Sequence, residues 1–110
     1  MGILLLAITG AWAVNHPFPQ NSNYDGRGII ATNASATTIK SKFDSWLGNH
    51  YVEEGNEARI KFDQPDYTVS EGIAYAMIAM VYLSDNSKSY QSQFDKLWNY
   101  YKNRRNANGL

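Results

Sequence analysis

Cysteine is absent from the 110 residues, which excludes disulfide staples and thiolate chemistry and leaves the redox compartment unread. Charge of one sign is equally lacking. Ten Lys and Arg balance ten Asp and Glu, so neither a nucleic-acid footprint nor a trap for acidic substrates is written into the chain. No apolar run reaches the roughly twenty residues that a membrane span requires. The two histidines, His16 and His50, stand alone without the paired spacing of metal ligands, and no metal or other cofactor is expected.

What is present suffices for one modest domain, since a chain of this size buries only about two thirds of its unfolded surface. Residues 1–13 are apolar and end in Ala11-Trp12-Ala13, an A-x-A pattern like that of a signal cleavage site. They carry no basic n-region. The segment therefore reads as a signal peptide whose removal would leave a chain starting near Val14, with a buried segment or a truncated gene start as alternatives. Asn33-Ala34-Ser35 has the form of a glycosylation sequon but reads better as the beginning of a helix.

Residues 15–34 are rich in Pro, Gly, Asn and Asp, which is loop chemistry. Next, Ile39, Phe43, Trp46 and Leu47 follow the i, i+4, i+7, i+8 spacing of an amphipathic helix, with Ser and Thr at 35–38 as caps and Gly48 as a stop. Residues 50–66 form a polar connection that includes Glu53, Glu54 and Glu57, with a short extended piece expected over 59–62. A second helix is predicted to begin around residues 68–70 and to run to Leu83. Residues 73–83 (IAYAMIAMVYL) contain no charge, so this helix should be buried on most sides. After the turn at 84–87, Tyr90, Phe94, Leu97, Trp98 and Tyr101 predict a third helix that stops over 106–109 and forms an αα-hairpin with the second. Trp46, Trp98 and Tyr101 lie on apolar stripes and are expected in the core. Lys102, Arg104 and Arg105 suit the end of that helix, where cations favour the dipole.

Glu71 stands at the threshold of the uncharged run. Thr68-Val69-Ser70-Glu71 has the form of a capping box, in which the glutamate reaches back to the N-cap amide while the threonine satisfies a free helical N–H. A cap accounts for all four residues, but it does not explain why they lead into so apolar a helix.

The segment Thr68-Val69-Ser70-Glu71-Gly72-x-x-Tyr75-x-Met77, followed by the apolar helix, a polar turn, Phe94-Asp95-Lys96-Leu97-Trp98 and Asn106-x-Asn108-Gly109-Leu110, closely resembles glycoside hydrolase family 8. Pro17-Phe18-Pro19-Gln20, Asn23-Tyr24, Ile29-Ile30 and the helix bearing Trp46 extend the resemblance over residues 17–110. Where the family has Tyr-Gly-Met, this chain has Tyr75-Ala76-Met77. The resemblance implies an all-α fold, with residues 14–110 as the N-terminal part of a catalytic domain shaped as an (α/α)6 barrel. It implies inverting hydrolysis of internal β-1,4 bonds in a polysaccharide such as cellulose or β-glucan, with Glu71 as the proton donor. The partner is then a polysaccharide, and the complete enzyme is expected to be secreted and monomeric. Chitosanase, licheninase and xylanase activities remain open within the family, as does a non-catalytic helical binding module in which Glu71 only caps its helix.

Helix dipoles favour the anion of Glu71 by about 0.3 to 1 kcal/mol, less than one pKa unit at about 1.4 kcal/mol per unit. Enclosure or a second carboxylate can raise a pKa by as much as about 3 to 5 units, so a lid over Glu71 would decide its protonation. Tyr75, one turn further along the helix, and Tyr67, in the loop leading to it, are the candidate substrate-binding aromatics. The general base falls outside this sequence by the family pattern. Asp63, Asp66, Asp85 and Asp95 lie in no matching motif and read as surface charge or turn chemistry.

Overall fold

The computed structural model describes Gly26 and residues 33–106. The apolar start at 1–13, His16, most of the loop at 15–34 and the C-terminal residues 107–110 lie outside the described residues. Five elements follow one another: α1 (Ala36–His50), β1 (Tyr51–Glu54), β2 (Glu57–Ile60), α2 (Ser70–Leu83) and α3 (Gln91–Arg104). Three helices dominate, as the periodicity predicts, and a small hairpin joins them.

Ser35 caps α1, its hydroxyl accepting from the Thr38 amide at 3.1 Å. The helix does not stop at Gly48. It continues to His50, because a lone glycine costs only about 1 kcal/mol inside a helix and does not force an end. The chain leaves α1 only where Tyr51 turns extended, with φ −82° and ψ 126°. Tyr51 and Val52 then open β1, beside the glutamates that disguise it as a polar connection.

The hairpin pairs antiparallel, Tyr51 opposite Ile60 and Glu54 opposite Glu57. Gly55 takes φ +67° at the first loop position, the positive value that tight two-residue hairpin loops demand. Alternation along β2 sends Ala58 and Ile60 inward, with 0% and 3% exposure, while Glu57 and Arg59 take the other face. The charged run is thus a working edge. Lys96 donates to Glu53 at 2.6 Å, Asn99 to the Asn56 carbonyl at 3.1 Å, and Asn103 and Arg104 to Glu57, each at 2.6 Å. These four α3 residues recur at i, i+3, i+7 and i+8, so one polar stripe of α3 grips the hairpin while Leu97 enters the core.

The core gathers Ala58, Ile60, Ile73, Ala76, Met80, Leu83, Tyr90 and Leu97. Burial of each larger apolar member contributes about 1.5 to 3 kcal/mol against leaving it in water. Ala76, where the family pattern has glycine, is 1% exposed, so its methyl group is part of this packing. One expectation is overturned here. α2 is not buried on most sides: Ile73, Ala76, Met80 and Leu83 make one buried stripe, whereas Tyr75, Ile78, Val81 and Tyr82 are all more than half exposed. Among the described residues β2, α1 and α3 make the main contacts with the helix, and its buried residues fall on one face. Trp98, expected in the core, is 42% exposed and stacks on Tyr101 with ring centroids 5.5 Å apart. Trp46 is half-buried and packs against the core beside Phe43, as its stripe predicts.

Candidate active site

The path from β2 to α2 determines where Glu71 sits. After Ile60, the Lys61 amide donates to the His50 carbonyl at 2.7 Å, which prolongs the hairpin by one bond. The following loop closes on itself: the Phe62 amide donates to the Tyr67 carbonyl at 2.9 Å, and the Tyr67 amide to the Gln64 carbonyl at 3.1 Å. α2 then starts against the strand just left. A Cβ placed on Gly72 would lie 3.6 Å from Cγ2 of Ile60 and of Val69, so the first turn of α2 rests on β2 at van der Waals distance.

The capping box does not form. Val69 is the N-cap, with φ −124° and ψ 146°, and it supplies no side-chain cap bond. Its carbonyl accepts the first helical bond, from the Ile73 amide at 3.3 Å. Thr68 therefore stands one position too early to reach the amides it was expected to cap. Its hydroxyl is buried without a hydrogen-bond partner among the described residues. Glu71 is exposed, in the first turn of α2, and makes no hydrogen bond or ion pair among the described residues.

Glu71 rims an open, chiefly apolar groove between α2 and α3, about 930 Å³ in volume, whose walls include Met77, Ile78, Tyr82, Phe94, Trp98 and Tyr101. Tyr75 lies one helical turn beyond Glu71 and is 70% exposed, on the solvent-facing stripe that continues through Ile78 and Tyr82. Tyr67 is 63% exposed, and both of its backbone groups are tied within the loop. Neither Tyr67 nor Tyr75 lines the groove. Tyr82, Trp98 and Tyr101 do, and sequence reasoning missed them because aromatic residues at helical spacing are the ordinary signature of a core.

The aspartates settle into structural work or open solvent. Asp85 accepts from the Ser87 amide at 2.8 Å, the Ser87 hydroxyl at 2.6 Å, the Lys88 amide at 3.0 Å and the Lys40 ammonium. The lysine first, then the turn donors, hold its carboxyl well below the usual range. Asp95 accepts from the Gln91 side chain at 2.7 Å, and Asp63 and Asp66 are exposed on the loop. His50 ends α1 with its ring 5.1 Å from that of Trp46. Among the described residues no cluster of three His, Asp or Glu forms, and no helix is long and apolar enough to cross a membrane.

Glu71 thus stands as an exposed carboxyl group on the first turn of α2, at the rim of the groove. The chain belongs to the glycosyl hydrolases family 8, whose model matches residues 16–110. A beta-glucanase of Niallia circulans is 32% identical over 98% of the chain and 28% of its own length. Endoglucanase 2 of Ruminiclostridium josui is 32% identical over all of the chain and 25% of its own length, and endoglucanase C of Ruminiclostridium cellulolyticum is 30% identical over the same shares. The chain thus spans about a quarter of the length of the curated relatives it matches. No solved structure matches it.

Proposed function

We propose that this chain contributes the proton donor to an enzyme that hydrolyses internal β-1,4 bonds of cellulose or a related β-glucan with inversion, and that Glu71 is that donor. The carrying observation is the position of its carboxyl group: exposed, unpaired among the described residues and fixed to the first turn of α2. Family membership supports the reaction class, and the relatives named beta-glucanase and endoglucanase support a glucan over chitosan or xylan. A cap-only role for Glu71 loses its motive, because the box that would have employed it is not made.

In this mechanism protonated Glu71 donates to the glycosidic oxygen as the bond to the sugar breaks, and a second carboxylate activates a water on the opposite face of the ring. That base stands about 6.5 to 9.5 Å from the acid in inverting enzymes. The family pattern implies that the base lies in a part of the enzyme other than this chain, and Asp63, Asp66, Asp85 and Asp95 lie in no matching motif. The whole enzyme would be an (α/α)6 barrel that encloses the groove and removes water from around Glu71. Residues 1–13 would direct its secretion, and it would act as a monomer.

The test is Glu71→Gln in the enzyme encoded by the full reading frame. Glutamine keeps the shape and loses the proton, so turnover on β-glucan should fall by about 10² to 10⁴ while the melting temperature holds. A variant that folds and retains its turnover would remove Glu71 from the role.

A further inference from the structure

Arg59 sits on β2, and its guanidinium is drawn into the loop that precedes α2. Its Nε donates to Glu54 Oε1 at 3.1 Å, and its Nη1 donates to the Pro65 carbonyl at 2.8 Å. The side chain is 12% exposed, whereas its partner Glu54 is 52% exposed, so the arginine is the buried member and its direction is set by packing. This bond joins a hairpin side chain to the backbone of the loop at residues 61–69. The loop's own bonds, Phe62 to Tyr67 and Tyr67 to Gln64, close it upon itself. They leave the turn at Gln64–Pro65 untied to the hairpin. Arg59 ties it, and six residues past Pro65 stands Glu71.

Resting on the reading of Glu71 as the proton donor, we propose that Arg59 is a positioning residue for it. The guanidinium fork spans two acceptors at once, Glu54 on the neighbouring strand and Pro65 in the loop, and so locks the loop to the hairpin at a fixed angle. Ile60 against the Gly72 turn supplies the other anchor. Between these two anchors the backbone at the start of α2, which carries Glu71, is held against the hairpin. Lysine cannot reproduce the lock, because a single ammonium lacks the planar fork that meets both acceptors.

The experiment uses the enzyme of the full reading frame and two substrates. One is β-glucan, whose leaving oxygen needs a proton; the other is a dinitrophenyl β-cellooligosaccharide, whose leaving group departs without one. Glu71→Gln should lose turnover on the first and recover most of it on the second. Arg59→Gln should follow the same pattern in weaker form, losing about ten- to a hundredfold in kcat on β-glucan, the scale of a misplacement near 1 Å, with KM little changed and the loss largely abolished on the dinitrophenyl substrate. If Arg59→Gln fails to fold, Arg59→Lys, which keeps the charge, is measured in the same way and should show the same selective loss. An equal loss on both substrates would mean a general structural effect and overturn the proposal, as would undiminished kcat on β-glucan. A Glu71→Gln enzyme that still turns over β-glucan would instead bring down the donor assignment itself, and this inference with it.

Discussion

Tyr90 donates its phenolic hydrogen to Asp44 at 2.8 Å, which joins the residue before α3 to the middle of α1 across 46 positions of sequence. The bond matters because α1 has no fully buried residue of its own. Beside the packing of Ile39, Phe43, Trp46 and Leu47 on the core, a brace attaches α1: Phe43 edge-on to the Tyr90 ring at 5.3 Å, Lys88 paired with Asp44 at 2.6 Å, and Lys40 paired with Asp85. Tyr90→Phe keeps the ring contact and removes only the bond. It should cost about 1 kcal/mol by thermal or urea unfolding, below the roughly 1.5 to 3 kcal/mol usual for a charged acceptor, because Asp44 is 38% exposed and water can replace the donor.

The same brace should be acid-sensitive. Lys88, then Tyr90, lowers Asp44 against the opposing effect of burial, and Lys40, then the Ser87 donors, lowers Asp85 further. Both carboxyls have folded pKa values depressed below the ordinary 3.8, so their contribution is fully present above that value and is lost as pH falls through the folded ones. Melting temperature should therefore drop below about pH 4. In Asp85→Asn the melting temperature should be lower at neutral pH and the acid-side drop shallower, a comparison that differential scanning fluorimetry can make directly.

Leu97→Ala should be the severe change in α3. Leu97 has no exposure and lies where β2 and α2 meet that helix, and truncating a buried leucine costs about 2 to 5 kcal/mol. Its neighbour Trp98, larger but 42% exposed, should cost less than half as much when cut to alanine in this chain. Urea unfolding of the pair reverses the ranking that side-chain size alone would give.

That ranking marks where the sequence was legible and where it was not. Ile39, Phe43, Trp46 and Leu47 announced α1, and the motif around Glu71 announced the candidate donor, because local spacing carries both signals. Trp98 shares the apolar stripe of Leu97, and only the placement of neighbours decides which of the two is covered. β1 hid behind Glu53 and Glu54, although the Gly55-Asn56 pair carried a hairpin signal. Glu53 and Glu57 make sense only against Lys96, Asn103 and Arg104, which lie more than forty positions away. Thr68 and Glu71 matched a capping box in letters, yet the helix begins one residue later than the box requires. Arg59 left no trace in the sequence, since its partner in the loop is a backbone carbonyl.

The exposed face of α2 gives the last prediction. Tyr75, Ile78, Val81 and Tyr82 are each more than half exposed on a helix whose interior carries no charge, and Trp98 extends the apolar surface across the groove. Such a contiguous patch is uncommon on a soluble monomer and attracts either apolar dyes or other copies of the chain. The 110-residue polypeptide expressed alone should accordingly bind anilinonaphthalene sulfonate and show concentration-dependent association in sedimentation. With only the candidate acid present, it should release no measurable reducing sugar from β-glucan. Ile78→Glu places a charge where the side chain already meets water, so it should change the stability of the isolated chain by no more than about 0.5 kcal/mol while reducing both dye binding and association. In the enzyme of the full reading frame the outcome should invert, because a barrel closing over this face would bury the new carboxylate, and an unpaired buried charge costs several kcal/mol. Equal tolerance of Ile78→Glu in both contexts would show that the face stays open in the complete enzyme and that the groove beside Glu71 is not enclosed by other helices.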